Sequence, residues 1–229
     1  MDKVSLVSGM DSLITWYALE KPLALYFNLG HRYNSKEEET VKDVITRRFG
    51  TLVTLNSLKL GQFEEPDACI PGRNVHLALM AAHYGDEIYL TVQKGETNIP
   101  DRTPEAFEVM TKAVQIVGPN KVVKNLWWDH TKAQMINWYL EQDFPVEDLL
   151  DISTCYSQSP ELYCSACPAC FRKFIALEFC GVDTRSHINR ETMLNWEGTK
   201  TYLENMRAGK YIEDRVNETL TVLKKFGID

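Results

Sequence analysis

The stretch Lys3-Val4-Ser5-Leu6-Val7-Ser8-Gly9-Met10-Asp11-Ser12 decides how this chain is read. Its first half is a β-prone run, and its second half is a tight turn that opens a helix. Such a turn leaves backbone N–H groups pointing outward. The helix adds its own free first-turn N–H groups and the positive end of its dipole. Ser8 and Ser12 supply hydroxyls, and Asp11 is able to accept from backbone or help hold a magnesium ion. The turn is therefore a candidate pyrophosphate cradle. It lacks the Gly-Lys-Ser/Thr of a Walker loop, and Ser and Asp are also ordinary N-caps, so these residues alone leave capping and phosphate binding level.

Working outward, short β-prone runs at 3–7, 23–28, 51–55, 87–92 and 149–153 alternate with helical stretches at 12–19, 36–49, 74–84, 104–117 and 131–142. Several of the runs are continuously apolar, as parallel strands buried on both faces are. A spacing of roughly 25 to 40 residues per strand–helix pair reads as βαβ units. The expected class is α/β, a Rossmann-like doubly wound parallel sheet, with ligands outside the carboxyl ends of the strands. The composition shifts after about Gly181. We divide the chain into an α/β part, residues 1–183, and a helical C-terminal extension, residues 184–229, packed on the domain or on a second copy in a homodimer.

The chain has 229 residues, 44% of them hydrophobic, enough for a sizeable core. No run approaches 18 apolar residues, so nothing is expected to span a membrane. The formal net charge of −7 argues against a large nucleic-acid footprint, though one local pocket can oppose the global field for a small anion. The start, Met1-Asp2-Lys3-Val4-Ser5-Leu6, has no apolar h-region, which argues for a cytoplasmic protein with free thiols.

Cys155, Cys164, Cys167 and Cys170 crowd into residues 155–170. Two consecutive C-x2-C steps let thiolates converge on one cation at about 2.3 Å, and Cys155 closes the tetrahedron. With four thiolates and no position left open, the site reads as structural zinc. An iron–sulfur cluster uses the same ligands and remains the alternative. Cys69 and Cys180 read as unpaired.

The turn resembles the Ser-Gly-Gly-x-Asp-Ser signature of the PP-loop ATP pyrophosphatase superfamily. Further on come Pro71-Gly72-Arg73-Asn74, Asp101-Arg102-Thr103-Pro104-Glu105-Ala106-Phe107, Ser153-Thr154-Cys155-Tyr156 and the cysteines followed by Phe171-Arg172. This order resembles the QueC family, the 7-cyano-7-deazaguanine (preQ0) synthases. The resemblance covers roughly residues 3 to 183. It implies an ATP-dependent C–N ligase that converts 7-carboxy-7-deazaguanine, ammonia and ATP to the nitrile, through an adenylated carboxylate and an amide. It also implies that Ser8, Gly9, Met10, Asp11 and Ser12 hold the phosphates of ATP, with Mg2+, and that the four cysteines hold Zn2+.

Beyond the resemblance, Arg73 and Arg102 stand at strand-to-helix junctions, where a guanidinium meets phosphate or the substrate carboxylate; a structural salt bridge is the equal alternative. Lys132 at a helix start is a candidate phosphate contact, and a solvated lysine is its bland counterpart. Arg32 follows the second strand where the family carries a similar loop, and His31 departs from that loop. Trp127 and Trp128 read as a buried pair rather than a purine platform. The turn is one glycine short of the family form. If Met10 or Asp11 had to take positive φ instead, strain of about 1–3 kcal/mol would follow. Two other readings stay open: a tRNA-modifying PP-loop enzyme using Cys69, and a non-catalytic, zinc-stabilised nucleotide-binding module.

Overall fold

The computed structural model describes residues 2–228. Five parallel strands form the sheet: β1 (Lys3–Leu6), β2 (Leu23–Phe27), β3 (Leu52–Leu55), β4 (Glu87–Tyr89) and β5 (Val122–Lys124), in the order β3-β2-β1-β4-β5. Strands buried on both faces must be apolar at consecutive positions. Along β2, Ala24 and Tyr26 enter one core while Leu25 and Phe27 enter the other. The first face is covered by α1 (Met10–Ala18), α2 (Asn34–Arg47) and α5 (Lys132–Glu141). The second is covered by α3 (Arg73–Ala81) and α4 (Pro104–Val114). Outward growth from β1 in both directions makes the gap between β1 and β4 the switch point, and the turn at residues 8–12 opens there.

The expected strand at 149–153 is not a strand. It belongs to α6 (Val146–Asp151) and the residues just after it. Pro145 presets the entry, and Glu147 and Asp148 occupy the first turn, where the dipole favours acids. Leu149 and Ile152 bury their side chains in the first core, so their apolarity signals burial rather than β structure. The true last strand, β5, is three residues long and gave no alternating pattern to read.

Asp148 is fully buried and holds α6 to α2. It takes Arg47 at 2.8 Å, Arg48 at 2.9 Å and the Tyr17 hydroxyl at 2.5 Å. Removing one partner of a buried ion pair leaves the others uncompensated. Asp148→Ala is expected to destabilise the chain by about 3–5 kcal/mol, read as a lower urea midpoint at unchanged m-value.

After the cysteines runs α7 (Pro168–Phe179), followed by α8 (Arg190–Asn195), α9 (Glu197–Arg207) and α10 (Glu213–Lys225). The extension packs on its own chain. Met193, Leu203, Val222 and Leu223 share a core with Cys155, Cys167, Cys170, Phe171 and Phe174. Among the described residues, no helix is long and apolar enough to cross a membrane.

Candidate active site and metal centre

An open cleft lies at the switch point. All five turn residues line it, together with Arg73, Arg102 and Lys132. Four separate chain segments thus converge on one space. The junctions carrying Arg73 and Arg102 are tied together: the Asp101 carboxylate accepts from the Asn74 backbone N–H at 2.9 Å, and the Asn74 amide donates to the Asp101 carbonyl at 3.2 Å. Gly72, at φ 66°, turns the chain into α3 and presents Arg73 at its first position.

The turn closes without the second glycine. Gly9 is extended (φ −174°), Met10 and Asp11 are already helical, and no residue of 8–12 has positive φ. The expected strain is absent. Met10 buries its side chain completely in the core. The Ser12 hydroxyl accepts from the N–H groups of Ser8 (2.9 Å) and Gly9 (3.1 Å) and donates to the Gly9 carbonyl (2.9 Å). An entering phosphate oxygen would take over those two donors and gain the unpaired first-turn N–H groups of α1.

Lys132 caps this arrangement by binding both carboxylate oxygens of Asp11. It is neither solvated nor free. Arg102 pairs with Glu96 at 3.0 Å. Burial would raise the Glu96 carboxyl, but Arg102 and Lys132 outweigh it and hold the group below the ordinary carboxylate range. Among the described residues Arg73 has no ion pair or side-chain hydrogen bond; its field acts on Glu37 and His31. Arg32 lies elsewhere, bonded to Glu64 at 3.2 Å and to the Pro66 carbonyl, and ties down the loop after β3. Trp127 is buried and donates to Thr15 at 2.9 Å, while Trp128 packs on Phe107, so neither is a purine platform.

Sequence reasoning gave no site role to Glu37, Glu96, Lys173 or Arg172, the last noted only as part of the motif order, and all four line the cleft. Glu37 was legible: it lies one helical turn before Val41, on the buried face of α2. Its carboxyl is pushed up to about 8 by burial, against the pull of Arg73. His31, 3.6 Å away, is pushed down to about 4 by burial and then by Arg73 and Arg32, so it is neutral near pH 7. Lys173, pushed down to about 7 by burial, donates to the carbonyls of Leu150 (3.2 Å) and Ile152 (2.7 Å) at the end of α6.

Below about pH 8 Glu37 is mostly neutral; above it, a new negative charge faces any anion in the cleft. ATP affinity is therefore expected to fall about three- to tenfold between pH 7 and 9. Glu37→Gln should remove the part of that fall centred near 8, leaving the part due to Lys173 deprotonation; nucleotide titrations across pH check this.

The four cysteine sulfurs lie within 4.8 Å of one another. Tetrahedral thiolates around zinc stand about 3.8 Å apart, so the cluster closes on a metal with little movement. Backbone N–H groups already point at the sulfurs: Ser157 and Cys164 at Cys155 (3.4 and 3.3 Å), Ala166 at Cys164 (3.4 Å) and Cys170 at Cys167 (3.5 Å). Such donors stabilise thiolate charge. Cys155, Cys167 and Cys170 are buried, which fits a closed structural site that could bind zinc. Cys69 stands apart with Glu65 and Asp67; burial and those two acids push its thiol up, away from the reactive thiolate form.

Sheet order, the turn at the switch point and the four-cysteine cluster define an α/β protein with a five-stranded parallel sheet and a candidate metal centre. The chain belongs to the QueC family: the family model described as "Queuosine biosynthesis protein QueC" matches residues 50–181, more than half of the sequence. The turn at 8–12 and the helices after residue 190 lie outside the matched span. No curated protein sequence matches the chain.

Proposed function

We propose that the chain is an ATP-dependent C–N ligase that turns 7-carboxy-7-deazaguanine and ammonia into the nitrile preQ0, in a cytoplasmic setting. A carboxylate is a poor electrophile because oxide leaves badly. Attack of its oxygen on the α-phosphorus of ATP expels pyrophosphate and gives an acyl adenylate. Ammonia adds to the acyl carbon, AMP leaves, and a proton is lost to give the amide. A second ATP adenylates the amide oxygen; loss of AMP and of the remaining N–H protons leaves the nitrile.

The protein's part in these steps is positioning and charge stabilisation. The N–H groups at the turn hold phosphate oxygens, and Arg73, Arg102 and Lys132 neutralise charge on the departing pyrophosphate. Asp11 is the carboxylate suited to hold magnesium, which when bound supplies further neutralisation of the phosphates. The four cysteines would hold zinc, which fixes the wall of the cleft and takes no part in the chemistry.

One observation carries this reading: residues 8–12, Arg73, Arg102 and Lys132 line a single cleft whose cations outnumber its acids, in a chain of net charge −7. A tRNA-modifying role would lean on Cys69, whose thiol is held protonated. A non-catalytic module drew its support from the shortened turn, which closes without strained backbone. The test is nucleotide analysis of a reaction containing ATP, magnesium, ammonium and the acid. AMP and pyrophosphate that form only when the acid is present support adenylation; ADP, or AMP formed equally without the acid, contradicts it.

A further inference from the structure

Most cations of the cleft already have anionic or carbonyl partners: Lys132 has Asp11, Arg102 has Glu96, and Lys173 has two backbone carbonyls. Among the described residues two are different: Arg73, which has no such partner and is assigned above to the phosphates, and Arg172. The Arg172 guanidinium donates to the hydroxyls of Tyr156 at 2.9 Å and Tyr202 at 3.4 Å, and no carboxylate is recorded within ion-pair distance of it among the described residues. Glu96 acts on it through space but is bonded to Arg102. A half-buried guanidinium held only by neutral phenols keeps donors to spare, in the fork geometry that suits a carboxylate.

The way it is held is equally informative. Tyr202 belongs to α9, outside the span that matches the family model. Its ring stacks on Phe171 at 4.5 Å and 22°, and on Tyr211 at 5.8 Å and 21°. On the other side, the Tyr156 ring lies 5.8 Å from the guanidinium. Arg172 also lines a second pocket, together with Tyr202, Met206 and Ile212 of the extension. Through Tyr202 the C-terminal helices thus reach a cation at the edge of the cleft and help to hold it.

We infer that Arg172 is the counter-ion for the carboxylate of the acceptor, and that Tyr202 is a positioning residue through which the extension sets acceptor affinity. This rests on the ligase reading above. The turn and its neighbouring cations serve the phosphates; Arg172 serves the second anion, which must approach a polyanion and is repelled without a cation of its own.

The experiment is calorimetric binding to the full, zinc-loaded chain, using 7-carboxy-7-deazaguanine, the neutral 7-carboxamide of the same ring, and ATP. Arg172→Gln is expected to weaken the acid about 10- to 100-fold and the amide less than about threefold, with ATP unchanged. Tyr202→Phe keeps the stack and loses the hydroxyl; it should weaken the acid about two- to tenfold, again sparing the amide. Equal losses on acid and amide, or a loss on ATP in place of the acid, overturn the inference. Should Arg172→Gln fail to fold, Tyr202→Phe decides by the same selectivity. Wild-type protein that binds the acid yet releases no AMP sinks the ligase reading and leaves Arg172 standing; binding of neither acid nor amide sinks both.

Discussion

Cys170→Ser is expected to leave the protein without its bound metal and with a melting temperature lower by about 8–16 °C. Metal-free zinc-finger peptides forfeit about 10–16 kcal/mol of apparent binding energy. Here most of the α/β core persists, so a loss of about a third, near 4 kcal/mol, is the appropriate scale. At about 2–4 °C per kcal/mol for a chain of this size, that gives the stated shift. The effect should spread, because Cys170 is fully buried in the core that seats α8, α9 and α10. Cys180→Ser is the control: its thiol contacts the Ala133 carbonyl at 3.2 Å, away from the cluster, and metal content should stay at about one per chain. Metal analysis alongside thermal melts reads both effects. Iron in place of zinc would move the site to the iron–sulfur alternative, and unchanged metal in Cys170→Ser would remove the cluster as the site.

Lys132→Ala is expected to lower kcat by about 100- to 1000-fold, the scale on which removal of one preorganised charge partner is felt. The size follows from what the substitution leaves behind. Lys132 neutralises Asp11, so its loss puts a bare carboxylate in the mouth of the phosphate turn. Asp11→Ala frees the lysine but removes the carboxylate suited to magnesium, and should impair turnover as well. The double variant should be less damaged than the product of the two single effects, because the uncompensated charge is gone. A double-mutant cycle on kcat/KM tests this, and strict additivity would show that the pair does not act together on the phosphates.

The fold was legible where strands were long enough to be apolar on both faces. β1 to β4 and the five expected helices all exist, with ends displaced by a few residues. The error at 149–153 has a physical cause: a short apolar run reports burial, and only Pro145 and the two acids after it identify a helix start. The cysteines were legible because ligand spacing is a local property. The cleft was half legible. Arg73, Arg102 and Lys132 could be placed because strand ends gather at one edge of a parallel sheet. Glu96 and Arg172 could not, because their part depends on the approach of distant segments: Lys132 for the first, and Tyr202, from the extension, for the second. The missing glycine misled for a related reason. The turn's backbone enters α1 one residue early, at Met10, so no residue has to take the left-handed conformation.

The central claim is that this cleft drives a carboxylate to a nitrile at the expense of ATP. Mass spectrometry of a reaction with ATP, magnesium, 15N-ammonium and 7-carboxy-7-deazaguanine tests it most directly. The account predicts a nitrile carrying one 15N, preceded by the labelled amide and accompanied by two AMP per nitrile formed. Unchanged acid in the presence of zinc-loaded, folded protein, or a product without the label, would contradict it.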